Sequence, residues 1–325
     1  MKDVIRKADV LIEALPYIKA FHGKVVVVKY GGSALDNEQI RRGVLEDLTF
    51  MNYVGMRPVL VHGGGPEISK RMRGAGKRVE FVNGIRVTDA ETVRMVDEAM
   101  VELNQQLVRE LRQVGAQAEG VSGKQEGLIT VQKFAGPPDL GFVGEIVAIH
   151  DAPLRRLLER QTIPVVSPLG VDDAGQIYNV NADQSACALA GALRAEKFVL
   201  LTNVQGILRD PSDNTSLIST LTEVEVEDLL RRKVIQEGMI PKVRAAVDVL
   251  NAGVRKAHIL DAKLPHGLLL EIFTISGIGT EIVRGAAAHP PTEPRKGQSH
   301  KVATGASGRG QSVKRSAGAG KTGGA

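Results

Sequence analysis

The sequence predicts an α/β fold, and three observations carry that expectation. Residues 25–28 are four consecutive valines, a buried strand by β-branched content, and Lys29, Tyr30, Gly31 and Gly32 follow at once. Residues 58–62 form a second strand-like run, closed by Gly63, Gly64 and Gly65, with Pro66 just inside the next helix-like stretch. Of the 325 residues, 43% are apolar, only 3% are aromatic and Trp is absent, so the core is aliphatic and large enough for one α/β unit or two domains. Ligands of open α/β sheets sit at the carboxyl ends of strands. Glycine clusters at two such ends can aim backbone N–H groups and a helix N-terminus at one anion. Lys29 would add charge there; an ordinary turn with a solvated lysine is the competing reading.

The remaining elements follow in order. Val4, Ile5, Ala8, Leu11, Ile12 and Leu15 make a helical stripe over residues 3–15, ended or kinked by Pro16. That stripe needs a partner surface, on its own domain or on another subunit. A helix over residues 37–52 joins the first two strands. His62, at a strand end, is read as structural rather than catalytic. Residues 81–87 read as a hairpin on an Asn83-Gly84 turn, with Arg86 either a bidentate carboxylate clamp or a surface arginine. Thr88 and Glu91 read as a capping box that opens a long helix to about Val114.

Short strands at residues 127–131 and 143–147 look like a β excursion covering a site, followed by a helix at 154–160 and a strand at 163–168. Asn179, Asn181 and Asp183 crowd the start of an alanine-rich helix that runs to Leu193. One cap needs one residue, so the surplus points to ligand or lysine contacts. Residues 197–203 read as a strand, and Thr222 with Glu225 caps a further helix. Lys242 stands in the first turn of a helix, against its dipole, which favours an anionic partner. A strand at 258–260, an apolar run at 268–273 around Glu271 and a strand after the 277–280 turn complete the folded part.

Composition excludes several classes. A single cysteine, Cys187, rules out a disulfide framework and a cysteine metal cluster. The charged start of the chain is not a signal peptide, and no apolar run reaches membrane-spanning length, so a cytoplasmic setting is expected. The formal charge of +5 belongs to the end of the chain: residues 286–325 hold seven basic residues and one acid, leaving about −1 for the rest. That Gly/Ser/Ala/Pro-rich stretch reads as a disordered, solvated tail, with nucleic-acid binding the less favoured reading. Its Gly320-Lys321-Thr322 is not a P-loop, because Arg315 stands where the motif requires glycine.

Five stretches in order carry a resemblance: Lys29-Tyr30-Gly31-Gly32, Val61-His62-Gly63-Gly64-Gly65-Pro66, Asn83-Gly84-Ile85-Arg86-Val87-Thr88, Tyr178-Asn179-Val180-Asn181-Ala182-Asp183 and Gly238-Met239-Ile240-Pro241-Lys242-Val243. From about residue 3 to 284 the chain resembles the N-acetylglutamate kinases, amino-acid kinases of arginine biosynthesis. The resemblance implies a three-layer αβα sandwich with a mainly parallel central sheet, the amino-acid kinase fold, plus an extra N-terminal helix. It implies four segments: an oligomerisation helix (1–21), an amino-acid-binding lobe (22–180), a lobe for ATP and arginine (181–285) and the basic tail (286–325). Phosphoryl transfer from ATP to the γ-carboxylate of N-acetyl-L-glutamate, with Mg²⁺, would follow. Lys29 and Lys242 would be the transition-state lysines and Asp183 would hold them. Gly64, Gly65, Arg86 and Asn179 would bind N-acetylglutamate. Gly31, Gly32, Asn203, Gly206, Leu208 and Gln236 would serve the nucleotide and its phosphates. No residue is singled out as a metal ligand.

The N-terminal helix, His258 to Asp261 and residues 265–274 also resemble the arginine-sensitive hexameric subgroup. There Tyr17, His258, Glu271 and Gly279 would line an inhibitory L-arginine site, and a PII-type regulator is a further conceivable partner. Three positions depart from the family pattern: Asn203, Ser33 and Gln125 stand where aspartate, asparagine and aspartate are more usual. A sister kinase acting on aspartate, glutamate or carrier-bound aminoadipate, and a catalytically weak arginine sensor, are the alternatives.

Overall fold

A computed structural model describes residues 2–285 apart from 236, 275 and 276; the tail and Gln236 therefore lie outside the described residues. Helix α1 (Lys2–Phe21) continues through Pro16, where the sequence predicts an end or a kink. A proline removes one helical hydrogen bond. The turn beyond it sets Tyr17, Ile18 and Phe21 against the core, which offsets that loss.

Next come β1 (Val25–Tyr30), α2 (Glu38–Tyr53), β2 (Arg57–His62) and α3 (Gly65–Gly74). The hairpin β3 (Phe81–Val82) and β4 (Ile85–Arg86) precedes α4 (Ala90–Gln113), β5 (Ala118–Ser122), β6 (Ile129–Lys133) and β7 (Gly144–Ile149). Then α5 (Ala152–Glu159), β8 (Ile163–Ser167), β9 (Leu169–Val171), β10 (Ile177–Asn179) and α6 (Ala182–Ala192) follow. The chain closes with β11 (Lys197–Thr202), β12 (Thr220–Thr222), α7 (Glu223–Arg231), α8 (Ile240–Asn251), β13 (Lys256–Asp261), α9 (Gly267–Phe273) and β14 (Thr280–Val283).

Eight strands form the central sheet in the order β12-β14-β13-β11-β1-β2-β8-β5. Every neighbouring pair is parallel except β13 and β14. The valine run explains itself here. Val27 faces a core shared with α5, α6 and α8, while Val26 and Val28 face a second core against α2, α4 and α9. A strand covered on both faces needs apolar residues at every position, as parallel sheets do. The result is the expected αβα sandwich.

Two sequence expectations change. The cap of α4 is Asp89, whose carboxylate accepts from the Thr92 N–H, so no Thr88–Glu91 capping box forms. Thr88 is buried and donates to the Arg86 carbonyl instead, and Glu91 pairs with Lys77. The β excursion is also larger than read: β6 and β7 join β9 and β10 in a four-stranded sheet ordered β10-β9-β6-β7. Backbone bonds from Thr88 to Leu140, Phe142 to Thr88 and Asn179 to Phe142 stitch that sheet to the start of α4. Strands β5, β9, β10 and β12 carry no strong sequence signal, being three to five residues long and in two cases interrupted by glycine.

Candidate active site

Parallel register sets Lys29 beside Val61 and Tyr30 beside His62, so both glycine turns leave the sheet side by side. The Gly63 N–H donates to the Tyr30 carbonyl at 2.8 Å. A Cβ on Gly31 would come within 3.1 Å of Lys29 Nζ and 3.4 Å of the Gly63 Cα. Gly31 thus leaves room for Lys29 to fold back over it and for the two backbones to approach. Lys29 Nζ stands 2.8 Å from Asp183 Oδ1. The contact is an ion pair without hydrogen-bond alignment, since the buried Asp183 Oδ1 makes no hydrogen bond among the described residues. The Tyr30 hydroxyl donates to the Ala34 carbonyl and, being buried, has its pKa raised far above the usual value.

A cleft of about 210 Å³ opens over these groups. Lys29, Gly32, Gly64, Gly65, Arg86, Asn179 and Asp183 all line it. The three polar groups at the α6 start have separate tasks. Asn181 caps the helix by accepting from the Asp183 and Gln184 N–H groups. Asn179 donates to Thr88 Oγ1 at 3.3 Å, and Asp183 meets Lys29.

Arg86 is only 5% exposed, which removes the surface-arginine alternative. It donates to the Gly65 carbonyl at 3.0 Å and to Ser69 Oγ at 2.8 Å, and its guanidinium stacks 4.7 Å from the Phe81 ring centroid. No carboxylate among the described residues pairs with it. Burial lowers its pKa, and Arg73 nearby adds to that effect. A desolvated guanidinium held by neutral partners is poised to bind an anion.

A second cleft of about 330 Å³ lies past the end of β11, lined by Asn203, Gly206, Leu208, Asn214, Val234 and Asp261 among others. At Gly206, φ is +154° and a Cβ would strike Thr280 Oγ1, so only glycine fits. Lys242 is half-buried in the first turn of α8 and is not among the residues lining either cleft. Gly31 and Gly32 belong with Lys29 and not with this second cleft.

On the opposite core, Glu271 and His258 are buried and paired at 2.6 Å. Lys197 approaches the other His258 ring nitrogen at 3.1 Å. Glu271 Oε2 accepts from the Ile278 and Gly279 N–H groups. Burial lowers the His258 pKa; burial would raise that of Glu271, but its hydrogen bond with His258 helps to hold it low. Glu271 therefore has little acceptor capacity left for a guanidinium. Tyr17 packs into the neighbouring core.

Sequence reasoning missed Ser69, Phe81, Thr88 and Lys197. Ser69 could be found as the residue one helical turn after Gly65. The others become visible only when separated segments meet.

Comparison with known proteins agrees with this architecture. Residues 24–261 match the amino acid kinase family. The acetylglutamate kinase of Heliobacterium modesticaldum is 45% identical over 295 residues, covering 87% of this chain and all of that one. That of Pelotomaculum thermopropionicum is 47% identical over 287 residues, covering 85% and 97%. Among solved structures, N-acetylglutamate synthase from Neisseria gonorrhoeae, complexed with coenzyme A and N-acetyl-glutamate, superposes with a TM-score of 0.77 at 26% identity. The match covers 86% of this chain but only 64% of that longer one. Fold, clefts and relatives agree: the chain is a kinase and belongs to the amino acid kinase family.

Proposed function

We propose that the chain phosphorylates the γ-carboxylate of N-acetyl-L-glutamate with ATP, as a step of arginine biosynthesis. One observation carries the reading: the buried, carboxylate-free Arg86 shares a cleft with Lys29 and both glycine turns. Arg86 and Asn179 would hold the α-carboxylate and acetamido groups. That would leave the γ-carboxylate beside Lys29 and the Gly64 and Gly65 amides. The nucleophile is ionised at neutral pH, so no general base is needed. The barrier is the approach of two anions, and positioning plus positive charge would lower it. Lys29 would bear charge on the transferred group, with Asp183 orienting its ammonium. Lys242 would join from the start of α8. ATP would lie along Asn203 to Leu208. The lobes 22–180 and 181–285 would divide the amino acid from the nucleotide.

No cluster of three or more His, Cys, Asp or Glu side chains among the described residues is placed to cage a metal. Mg²⁺ would be carried by the nucleotide phosphates and neutralise their charge. Arginine inhibition at Tyr17, His258, Glu271 and Gly279, where a guanidinium would have to displace part of the His258 and backbone N–H contacts of Glu271, and a hexamer built through α1 complete the proposal. The exposure of Leu11, Ile12 and Leu15 on α1 supports the assembly. A coupled assay with hydroxylamine trapping of the acyl phosphate tests the core reading across N-acetylglutamate, glutamate and aspartate. Turnover of N-acetylglutamate at least tenfold above the others is expected; preference for a free amino acid refutes the reading. Repeating the assay with arginine tests the inhibition.

A further inference from the structure

His62 is completely buried and touches neither cleft in its own right, yet every polar atom of its ring is engaged. Nδ1 lies 2.9 Å from the Gly63 carbonyl oxygen. A carbonyl can only accept, so Nδ1 carries the proton. Nε2 lies 3.2 Å from Asn104 Nδ2 and 3.2 Å from Ser167 Oγ. Asn104 also donates to the Val165 carbonyl at 2.8 Å, which fixes its amide orientation. Gly120 makes room for it, since a Cβ there would collide with Asn104 Oδ1. Nε2 is therefore an acceptor, and the ring is the neutral Nδ1–H tautomer. Burial depresses its pKa to about 4, in agreement.

The consequence falls on the glycine turn. A peptide unit is planar, so fixing the Gly63 carbonyl also fixes the Gly64 N–H on its far side. The Gly63 N–H is held by the Tyr30 carbonyl, so both peptide planes around Gly63 are pinned. Three consecutive glycines would otherwise sample the widest backbone range of any residues. Gly64 and Gly65 line the substrate cleft.

We propose that His62 is a positioning residue for phosphoryl transfer, which aims the Gly64 amide at the reacting carboxylate by holding the Gly63 carbonyl. The proposal rests on the cleft assignment made above. Its test compares two variants with a spectrum of the unmodified enzyme. His62→Asn keeps an N–H donor at the δ position, whereas His62→Gln moves it one bond farther out. His62→Gln should lose about 10- to 100-fold in kcat with KM for both substrates changed less than about threefold, and His62→Asn should stay within about threefold of the parent. In long-range ¹H–¹⁵N spectra the His62 ring should be the Nδ1–H tautomer at neutral pH. A folded His62→Gln with parental kcat, equal losses in both variants, or an Nε2–H or doubly protonated ring overturns the proposal. If the enzyme prefers a substrate other than N-acetylglutamate, the cleft assignment fails, while the spectrum and the Asn/Gln contrast on the active substrate still decide the role of His62.

Discussion

Arg86→Met separates substrate binding from stability. In the ligand-free protein the guanidinium gives hydrogen bonds to Gly65 and Ser69 and stacks on Phe81. The stacking is worth about 0.5–2 kcal/mol and each hydrogen bond from the charged guanidinium about 1.5–3 kcal/mol. Against these stands a buried charge without a carboxylate, whose desolvation costs several kcal/mol. The lowered pKa of Arg86 reports that same desolvation. Methionine fills a similar volume with no charge and the two sides nearly cancel, so Arg86→Met should melt close to the parent when both lack ligand. With N-acetylglutamate at about a hundredfold over Kd, the parent gains about 2.7 kcal/mol. For a fold of this size that is a rise of about 4–5 °C in Tm. The variant should lose most or all of the rise, because removing one partner of a buried charge pair costs about 2–5 kcal/mol, or roughly 30- to 5,000-fold in Kd. Scanning fluorimetry with and without substrate reads both effects. A variant that melts at least about 5 °C lower yet keeps the full substrate-induced rise would refute the assignment.

Three further outcomes are expected. Lys29→Met should lower kcat by about a thousandfold with little change in KM, because its charge matters most as the phosphoryl group transfers; steady-state kinetics showing only a KM effect would contradict this. His62 should make the fold acid-sensitive. Its pKa is about 4 when folded against about 6.5 unfolded, so the unfolded chain binds the extra proton between those values. The contribution is fully present above pH 6.5 and about 3 kcal/mol is lost as pH falls to 4. Urea midpoints should therefore fall more steeply on acidification in the parent than in His62→Asn, and parallel curves would exclude this origin. Deleting residues 1–20 should reduce the assembly seen by light scattering, since Leu11, Ile12 and Leu15 are 67%, 69% and 55% exposed on the single chain; an unchanged mass would rule out α1 as the contact.

What the sequence determined by itself is local. Four valines in a row dictate a strand buried on both faces, and β1 is one. Asn83-Gly84 dictates a turn with positive φ at both residues, and φ is +51° and +79°. Thr222 with Glu225 dictates a capping box, and both of its hydrogen bonds form. The glycine turns after β1 and β2 announce themselves by residue type alone. In each case the interactions span only a few residues, so the local pattern contains all of the physics.

Tertiary structure decided the rest. Asp89 displaced Thr88 as the α4 cap because the second sheet claims the Thr88 backbone, and its hydroxyl turns to the Arg86 carbonyl. Arg86 is legible as a cation, but not as a buried one without a carboxylate; that depends on α3, the β3–β4 hairpin and Phe81 closing around it. Glu271 reads as an available carboxylate until β13 and the segment after α9 bring His258 and two backbone N–H groups to it. His62 gains its role only where β2, α4 and β8 converge. Charge pairing, desolvation and tautomer choice depend on which segments share a neighbourhood, and only the folded chain brings those segments together.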